Sequence, residues 1–186
     1  MAAARGSVVD FRNCHENAAV LSHNSRGYTL GVIRLGNIGY EIARKAYIAF
    51  GMNSKYYDVI RKDAAKEAGI KAEFCSDLDA MLAVSDCVAL AISASPDGKK
   101  VIAKEGSLVD EEAVADAVEQ GRLVDVGMDV HGNEPTVNER LKASKLVTLT
   151  SHNAGGALKM HIGFESLVMR DIDAVLKGRE PLTPVI

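Results

Sequence analysis

The sequence has no tryptophan, only 5% aromatic residues and three cysteines among its 186 residues. No stretch of about 18 apolar residues occurs, so no transmembrane helix is expected. Lysine and arginine form no run, and a net charge of −3 gives no electrostatic footprint for nucleic acid. These absences argue against a membrane-spanning protein and against a nucleic-acid-binding protein.

The cysteines Cys14, Cys75 and Cys87 lack C-x-x-C spacing, and their odd number leaves at least one unpaired within the chain. Free thiols in a reducing compartment are therefore favoured over a disulfide framework. His15 and His23 lie near Cys14 without a second ligand pair, so we expect no metal site. The first residues contain no apolar core of signal-peptide length, and we expect a cytoplasmic location.

Strand-like and helix-like segments alternate along the chain from residue 28 onwards. Short apolar runs predict strands at 28–33, 54–58, 87–92, 123–130 and 146–150. Helical spacing predicts helices at 41–50, 61–68, 77–84, 110–120 and 157–177, and Gly69 is expected to end the second of them. This alternation predicts a doubly wound α/β fold with a parallel sheet. Residues 1–27 are predicted to be an irregular lead-in segment, and residues 28–186 one domain with a C-terminal helix.

The first predicted strand runs directly into Arg34-Leu-Gly-Asn-Ile-Gly39. A G-x-G-x-x-G sequence between a strand and a helix turns tightly, admits a pyrophosphate close to the backbone, and points a helix N-terminus at it. Gly36 and Gly39 match the second and third glycines, whereas Arg34 occupies the first position. An NTPase phosphate loop is excluded, because Asn37-Ile38 follows where Lys-Ser/Thr is required.

Asp58 ends the second predicted strand, 19 residues beyond Gly39. An acid at this place accepts hydrogen bonds from an adenosine ribose, although an aspartate at a strand end is otherwise a common turn residue. The glycine turn and the acid together predict dinucleotide binding. The acid favours NAD over NADP, whose additional phosphate it repels, while nearby Arg61 and Lys62 leave NADP as an alternative.

Glu134 and His152 each follow a predicted strand. If the sheet is parallel, Gly36, Asp58, Glu134 and His152 all emerge at the same edge of it. A carboxylate beside a histidine raises the histidine's pKa and orients its ring, so that it can transfer a proton near neutral pH. Taken singly, Glu134 is better explained by a rim salt bridge, and His152 with Ser151 by an anion site at a helix N-terminus, than by catalysis.

The remaining histidines, His15, His131 and His161, lack such a context and are expected to be solvated or packing residues. Asp129 is an acid within an otherwise apolar strand. It is either a satisfied buried carboxylate or a contact to the cofactor.

Several motifs match one family in order along the chain. They are Leu35-Gly-Asn-Ile-Gly39, Tyr56-Tyr-Asp58, Gly106-Ser-Leu-Val-Asp-Glu-Glu112, Gly127-Met-Asp-Val130, Asn133-Glu-Pro135, Ser151-His152 with Gly155-Gly156, and Pro181-Leu-Thr-Pro184. On these motifs, residues 29–185 resemble the nucleotide-binding domain of the D-isomer-specific 2-hydroxyacid dehydrogenases, close to glyoxylate/hydroxypyruvate reductases of fungal type.

The resemblance implies that NADH delivers a hydride to the carbonyl carbon of a 2-keto acid such as glyoxylate. His152, paired with Glu134, would protonate the forming alkoxide. The cofactor contacts that the resemblance implies are Asn37 and Ile38 at the pyrophosphate, Asp58 at the ribose, and Asp129 at the nicotinamide amide. Relatives pair through this domain, which implies a homodimer.

The chain departs from the family's pattern at three places. Glu105 precedes Gly106 where the family has its substrate-binding arginine, and only 14 residues separate Ile92 from Ser107 where the family has a further helix and a central strand. Arg34 replaces a glycine and is expected to crowd the cofactor turn. Only 27 residues precede the domain, so the substrate lobe is expected to be largely absent.

These departures predict that the chain is impaired as a dehydrogenase. The alternatives are a catalytically inactive nucleotide-sensing or partner-binding module, and a truncated gene product with a weak sheet.

Overall fold

The computed structural model describes residues 24–92, 109–153 and 155–184, which belong to two compact units. The first unit, residues 24–92, contains β1 (Thr29–Ile33), α1 (Asn37–Phe50), β2 (Asn53–Tyr57), α2 (Ala64–Ile70), β3 (Ala72–Cys75), α3 (Leu78–Ala83) and β4 (Cys87–Leu90). The second unit, from residue 109 onwards, contains α4 (Glu111–Glu119), β5 (Val126–Met128), α5 (Glu139–Ala143), β6 (Val147–Leu149) and α6 (Leu158–Leu176).

The first unit is built on a four-stranded parallel sheet with the strand order β3-β2-β1-β4. Successive side chains of a strand point to opposite faces of the sheet. A Cβ at Gly31 of β1 would meet Met81 of α3, whereas Val32 lies against Gly39 of α1. Helices α1 and α3 therefore cover opposite faces, and the predicted doubly wound α/β arrangement is confirmed.

The core of the first unit lies between the sheet and α1. Tyr56 of β2 is fully buried there, and its ring centroid lies 5.4 Å from that of Phe74. Ala43 and Ala46 are the buried positions of α1 besides Gly39, and their small side chains let the helix lie close to the strands. The buried cluster consists of Leu30, Val32, Leu35, Ala43, Ala46, Met52, Tyr56, Ile70 and Ala72.

The second unit contains a two-stranded parallel sheet, β5 with β6. Its buried cluster consists of Ala115, Val118, Leu141 and Val147. Helix α4 begins after Asp110, whose side chain accepts the N–H groups of Glu112 and Ala113 and so caps the helix. Arg140 of α5 contacts three acids of α4, at 2.7, 2.6 and 2.7 Å from Glu112, Asp116 and Glu119.

Several local predictions were wrong or incomplete. The second helix was expected at 61–68 with Gly69 at its end, but it spans Ala64–Ile70 and ends at Lys71, which has a left-handed φ of 50°. The strand expected at 123–130 is only Val126–Met128. Strand β3 and helix α5 were not predicted. The described strands of each unit form one parallel sheet.

The predictions for most of the lead-in segment and for residues 93–107, including the missing strand and Glu105, lie outside the described residues. Within the described ranges, no helix is both long and apolar enough to cross a bilayer. The apolar stripe of α6 is exposed to solvent, with Phe164, Val168 and Ile172 each about half exposed.

Candidate functional site

The turn between β1 and α1 contains a non-glycine residue in the left-handed region. Arg34 has φ of 72°, a conformation that costs an L-residue roughly 1–2 kcal/mol. Its N–H donates to the Tyr57 carbonyl at 2.8 Å, and its side chain is exposed. The backbone therefore makes the turn expected of the motif's first glycine, with a guanidinium added at the surface.

Gly36 is the N-cap residue of α1, and no side chain caps this helix. The first N–H groups of a helix lack intrahelical partners and mark its positive end. A Cβ at residue 36 would meet no protein atom within 4 Å, so open space adjoins these donors. Asn37 and Ile38 are exposed beside it. An anionic group such as a pyrophosphate fits this arrangement.

Gly39 has a packing role. It is buried in the first turn of α1. A Cβ at residue 39 would collide with the carbonyl oxygen of Arg34 and would approach Cγ1 of Val32 to 3.1 Å. Glycine is therefore required for α1 to begin this close to β1.

Asp58 follows β2 and contacts the same turn. Its Oδ2 accepts the N–H of Leu35 at 3.1 Å and the ammonium group of Lys62 at 3.0 Å. The carboxylate is nearly inaccessible to solvent, so its charge is compensated by Lys62 and by the backbone donor. The structure thus brings the predicted acid to the glycine turn, and a contact between Asp58 and a ribose stays a prediction.

The loop that presents Lys62 is anchored by a buried hydroxyl. Tyr56 accepts the N–H of Lys62 at 2.9 Å and donates to Oε1 of Glu67 at 2.6 Å, while Arg61 contacts both oxygens of Glu67. Burial, followed by the hydrogen bond to Glu67, raises the pKa of Tyr56 to about 12. The bonds from Arg61 and then from Tyr56 lower the pKa of Glu67 to about 2. Glu67 is therefore ionised when it anchors this loop.

The second unit joins the two residues that were predicted as a couple. Nδ1 of His152 lies 3.1 Å from Oε1 and 3.0 Å from Oε2 of Glu134. The hydrogen bond to Glu134, then its charge, raises the pKa of His152, and the bond from His152 lowers the pKa of Glu134. Because Glu134 occupies Nδ1, Nε2 is the ring nitrogen that can transfer a proton to a ligand.

Asp129 is half-buried and joins the ends of β5 and β6. Its Oδ1 accepts the hydroxyl of Thr150 at 2.6 Å and the N–H of Asn153 at 3.1 Å. The hypothesis of a hydrogen-bonded carboxylate therefore fits the structure, and a contact to the cofactor stays a prediction.

His131 is a residue whose importance sequence reasoning missed. It is buried, and Nε2 of its ring lies 3.0 Å from the carbonyl oxygen of Thr150. Its backbone N–H donates to Oε1 of Glu134 at 2.9 Å. A histidine directly before the motif Gly132-Asn-Glu-Pro135 was the available signal. His161, in contrast, is exposed, as the solvated alternative expected.

A cavity of about 740 Å³ adjoins this couple within the second unit. Its lining includes His131, Glu134, Thr136, Lys142, Thr150 and His152. The described residues include no group of three or more histidine, cysteine or acidic side chains arranged to hold a metal ion.

The structure therefore brings together Asp58 with the glycine turn, and Glu134 with His152. The first pair follows the carboxyl ends of β1 and β2, and the second follows those of β5 and β6. The prediction that all four line a single edge stays a prediction.

Comparison with known proteins gives a family match. Residues 2–106 and 103–154 match the family model of the D-isomer specific 2-hydroxyacid dehydrogenase, NAD binding domain. A glyoxylate reductase from Thermococcus gammatolerans is 34% identical over 181 residues, which are 89% of this chain and 53% of that protein. The chain thus spans about half the length of the curated relatives it matches.

Solved structures of dehydrogenases and reductases are also similar to this chain. The apo form of D-mandelate dehydrogenase from Rhodotorula graminis is similar with a TM-score of 0.86 and 34% identity, covering 100% of this chain and 59% of that one. A glyoxylate reductase from Paecilomyes thermophila is similar with a TM-score of 0.75 and 32% identity, covering 88% of this chain and 53% of that one.

Proposed function

The chain belongs to the D-isomer specific 2-hydroxyacid dehydrogenases, whose NAD-binding domain it contains, and we propose that it binds NADH and presents a proton donor for the reduction of a small 2-keto acid. The family is one of oxidoreductases and its cofactor is NAD. The observation that carries the proposal is the contact of 3.0 Å between the Glu134 carboxylate and Nδ1 of His152.

His152 is suited to deliver a proton. With Glu134 on Nδ1, the imidazolium is stabilised and Nε2–H points to the atom that receives the proton. When a carbonyl carbon accepts a hydride, its oxygen gains negative charge and requires a proton. Nε2 of His152 supplies that proton, and Glu134 keeps the ring in the required orientation and tautomer.

The pyrophosphate and the ribose of the cofactor would be held by the first unit. NADH, when bound, supplies the hydride. The open space at Gly36 and the uncapped start of α1 fit a pyrophosphate. Asn37 and Ile38 would provide donors there, Asp58 would bind the ribose, and Asp129 would contact the nicotinamide amide, as the family resemblance implies.

The substrate class is proposed from the relatives. They are named glyoxylate reductase, glycerate dehydrogenase and D-mandelate dehydrogenase, so glyoxylate and hydroxypyruvate are the first substrates to test. We further propose that turnover is impaired, because Glu105 stands where the resemblance places an arginine. A carboxylate there repels the substrate's own carboxylate, which a guanidinium would bind with two hydrogen bonds.

A homodimer and a cytoplasmic location are also proposed. The exposed apolar side chains of α6 support a partner surface. Cys75 is a free cysteine, which supports a reducing compartment. Light scattering of the purified chain gives the oligomeric state.

Two measurements test the function. Calorimetric titration with NADH is expected to show micromolar binding, and NADH absorbance with glyoxylate or hydroxypyruvate is expected to show no turnover. Absence of binding would contradict the nucleotide function. Turnover within the usual enzymatic range of roughly 1–10³ s⁻¹, lost in His152→Gln, would contradict the proposed impairment and support the proton donor.

A further inference from the structure

His131 is a buried imidazole whose polar atoms are unevenly satisfied. The residue is 8% exposed, and its Nδ1 has no hydrogen-bond partner among the described residues. A buried polar atom without a partner destabilises the folded state. An apolar ring of similar size would avoid that cost. Any role of the imidazole in the site therefore has to come from its other ring nitrogen, Nε2.

The backbone N–H and the ring Nε2 of His131 contact the two loops that contain the Glu134–His152 couple. The backbone N–H of His131 donates to Oε1 of Glu134 at 2.9 Å. The ring Nε2 lies 3.0 Å from the carbonyl oxygen of Thr150. A carbonyl only accepts, so Nε2 bears the proton of this bond and Nδ1 is the unpaired atom. Thr150 lies two residues before His152.

The couple depends on both contacts. Glu134 presents both oxygens to Nδ1 of His152, and the N–H of His131 fixes the rotation of that carboxylate through Oε1.

His152 has a left-handed φ of 50°, which is unfavourable for a residue other than glycine. Its loop therefore has to be fixed by outside contacts. His131 and Asp129 provide them, at the Thr150 carbonyl and at the N–H of Asn153.

We propose that His131 is a positioning residue that keeps Glu134 and His152 in contact, through its backbone N–H to the carboxylate and its ring Nε2–H to the Thr150 carbonyl. The inference rests on the proposed function, in which that couple is the proton donor.

NMR titration of the His152 ring in the full chain tests the inference. His131→Phe keeps the ring volume and the backbone N–H but removes the Nε2 donor. It is expected to lower the pKa of His152 towards the ordinary value of about 6.5. His131→Gln places an amide donor near the position of Nε2 and is expected to restore the raised pKa. His131→Asn places its amide near the position of Nδ1 and is expected to behave as His131→Phe.

An unchanged His152 titration in folded His131→Phe overturns the inference. The wild-type chain provides a second measurement that needs no variant. Its ¹⁵N spectrum is expected to show His131 protonated on Nε2, and a ring protonated only on Nδ1 overturns the inference even if the variants do not fold.

Glu134→Gln separates this inference from the proposed function. If Glu134→Gln leaves the pKa of His152 unchanged, the couple itself fails. If Glu134→Gln lowers that pKa and His131→Phe does not, only the positioning role fails.

Discussion

The ammonium group of Lys62 lies 3.0 Å from Oδ2 of Asp58, whose side chain is only 3% exposed. An acid at the end of β2 discriminates against NADP because its charge repels the 2′-phosphate. Here the ammonium group of Lys62 contacts Asp58. It reduces the repulsion between Asp58 and a 2′-phosphate, and it is itself a positive group that a 2′-phosphate can contact.

Lys62→Gln is therefore expected to weaken the binding of NADPH by about tenfold while changing that of NADH less, because a single charge contact of this kind contributes about 1.4 kcal/mol. Fluorescence titration with both nucleotides measures the ratio. Lys66→Gln, on the exposed surface of α2, is the matched control and is expected to leave the ratio unchanged. Equal weakening of both nucleotides by Lys62→Gln would show that Lys62 does not select between them.

Gly36→Ala tests the pyrophosphate position. A methyl group added at Gly36, or at Gly163 of α6, would have no protein atom within 4 Å, and neither glycine has a positive φ. Both alanine variants are therefore expected to fold. Only Gly36→Ala places a methyl group in the space beside the N-terminus of α1, and we expect it to weaken NADH binding at least tenfold. If calorimetry finds that Gly36→Ala and Gly163→Ala bind NADH with equal affinity, the nucleotide does not bind beside Gly36.

Arg34→Gly relieves a left-handed backbone at the cofactor turn. Lys71→Gly does the same at the end of α2, where φ is 50°. Each change removes roughly 1–2 kcal/mol of conformational cost, partly offset by about 0.5–1 kcal/mol of added freedom in the unfolded chain. Both variants are expected to unfold at slightly higher urea concentrations.

The two glycine variants should differ in nucleotide binding. Arg34→Gly is expected to bind NADH more tightly because the crowding side chain is gone, and Lys71→Gly is expected to bind it as the unaltered chain does. Weaker binding by Arg34→Gly would show instead that the guanidinium contacts the nucleotide.

Tyr56→Phe removes a buried hydroxyl that satisfies the Lys62 N–H and Glu67. Leaving such groups without a partner costs about 1–3 kcal/mol. Urea unfolding is expected to show that loss, while Tyr57→Phe, on a half-buried neighbour, is expected to show little. If the two variants unfold alike, the Tyr56 hydroxyl does not anchor the loop.

The Glu134–His152 contact predicts a defined pH window. The pKa of Glu134 is lowered, so its contribution to stability is present above its unfolded value of about 4.5 and is lost as pH falls through the folded value. The pKa of His152 is raised, so its contribution is present below about 6.5 and is lost as pH rises through the folded value.

Glu134→Gln should therefore lower the urea midpoint most at about pH 5.5, between the two pKa values, and less at about pH 9. Glu139→Gln is the control, because Glu139 pairs with Lys142 and not with a histidine. An effect of Glu134→Gln that does not depend on pH would contradict the ion pair.

The sequence contained enough information for the elements with strong local patterns. The apolar run of β1 and the helical spacing of α1 predicted these two elements. The residue types at 58, 134 and 152 predicted a candidate site, and the structure joins Glu134 with His152 and Asp58 with the glycine turn. Strand β3 could not be predicted in the same way, because Glu73 interrupts the apolar run in Ala72–Cys75 and the extended form of this segment depends on pairing with β2.

Helix α5 and His131 were missed for a related reason. The five residues of α5 are stabilised by Arg140 contacting α4, more than 20 residues away in the chain. The effect of His131 depends on Thr150, 19 residues away. Such contacts exist only once the chain has folded. The position of His131 beside the Glu134 motif was visible in the sequence, but its contact with Thr150 was not.

The lack of room for a side chain between residue 39 and the Arg34 carbonyl limits which substitutions this turn tolerates. One hydrogen atom in place of a methyl group sets both the distance of α1 from the sheet and the position of the donors that would meet a phosphate. Any larger side chain at residue 39 shifts the helix and its donors together. Affinity and stability cannot be adjusted separately at that position, and substitutions that tune one alone have to be sought elsewhere in the turn.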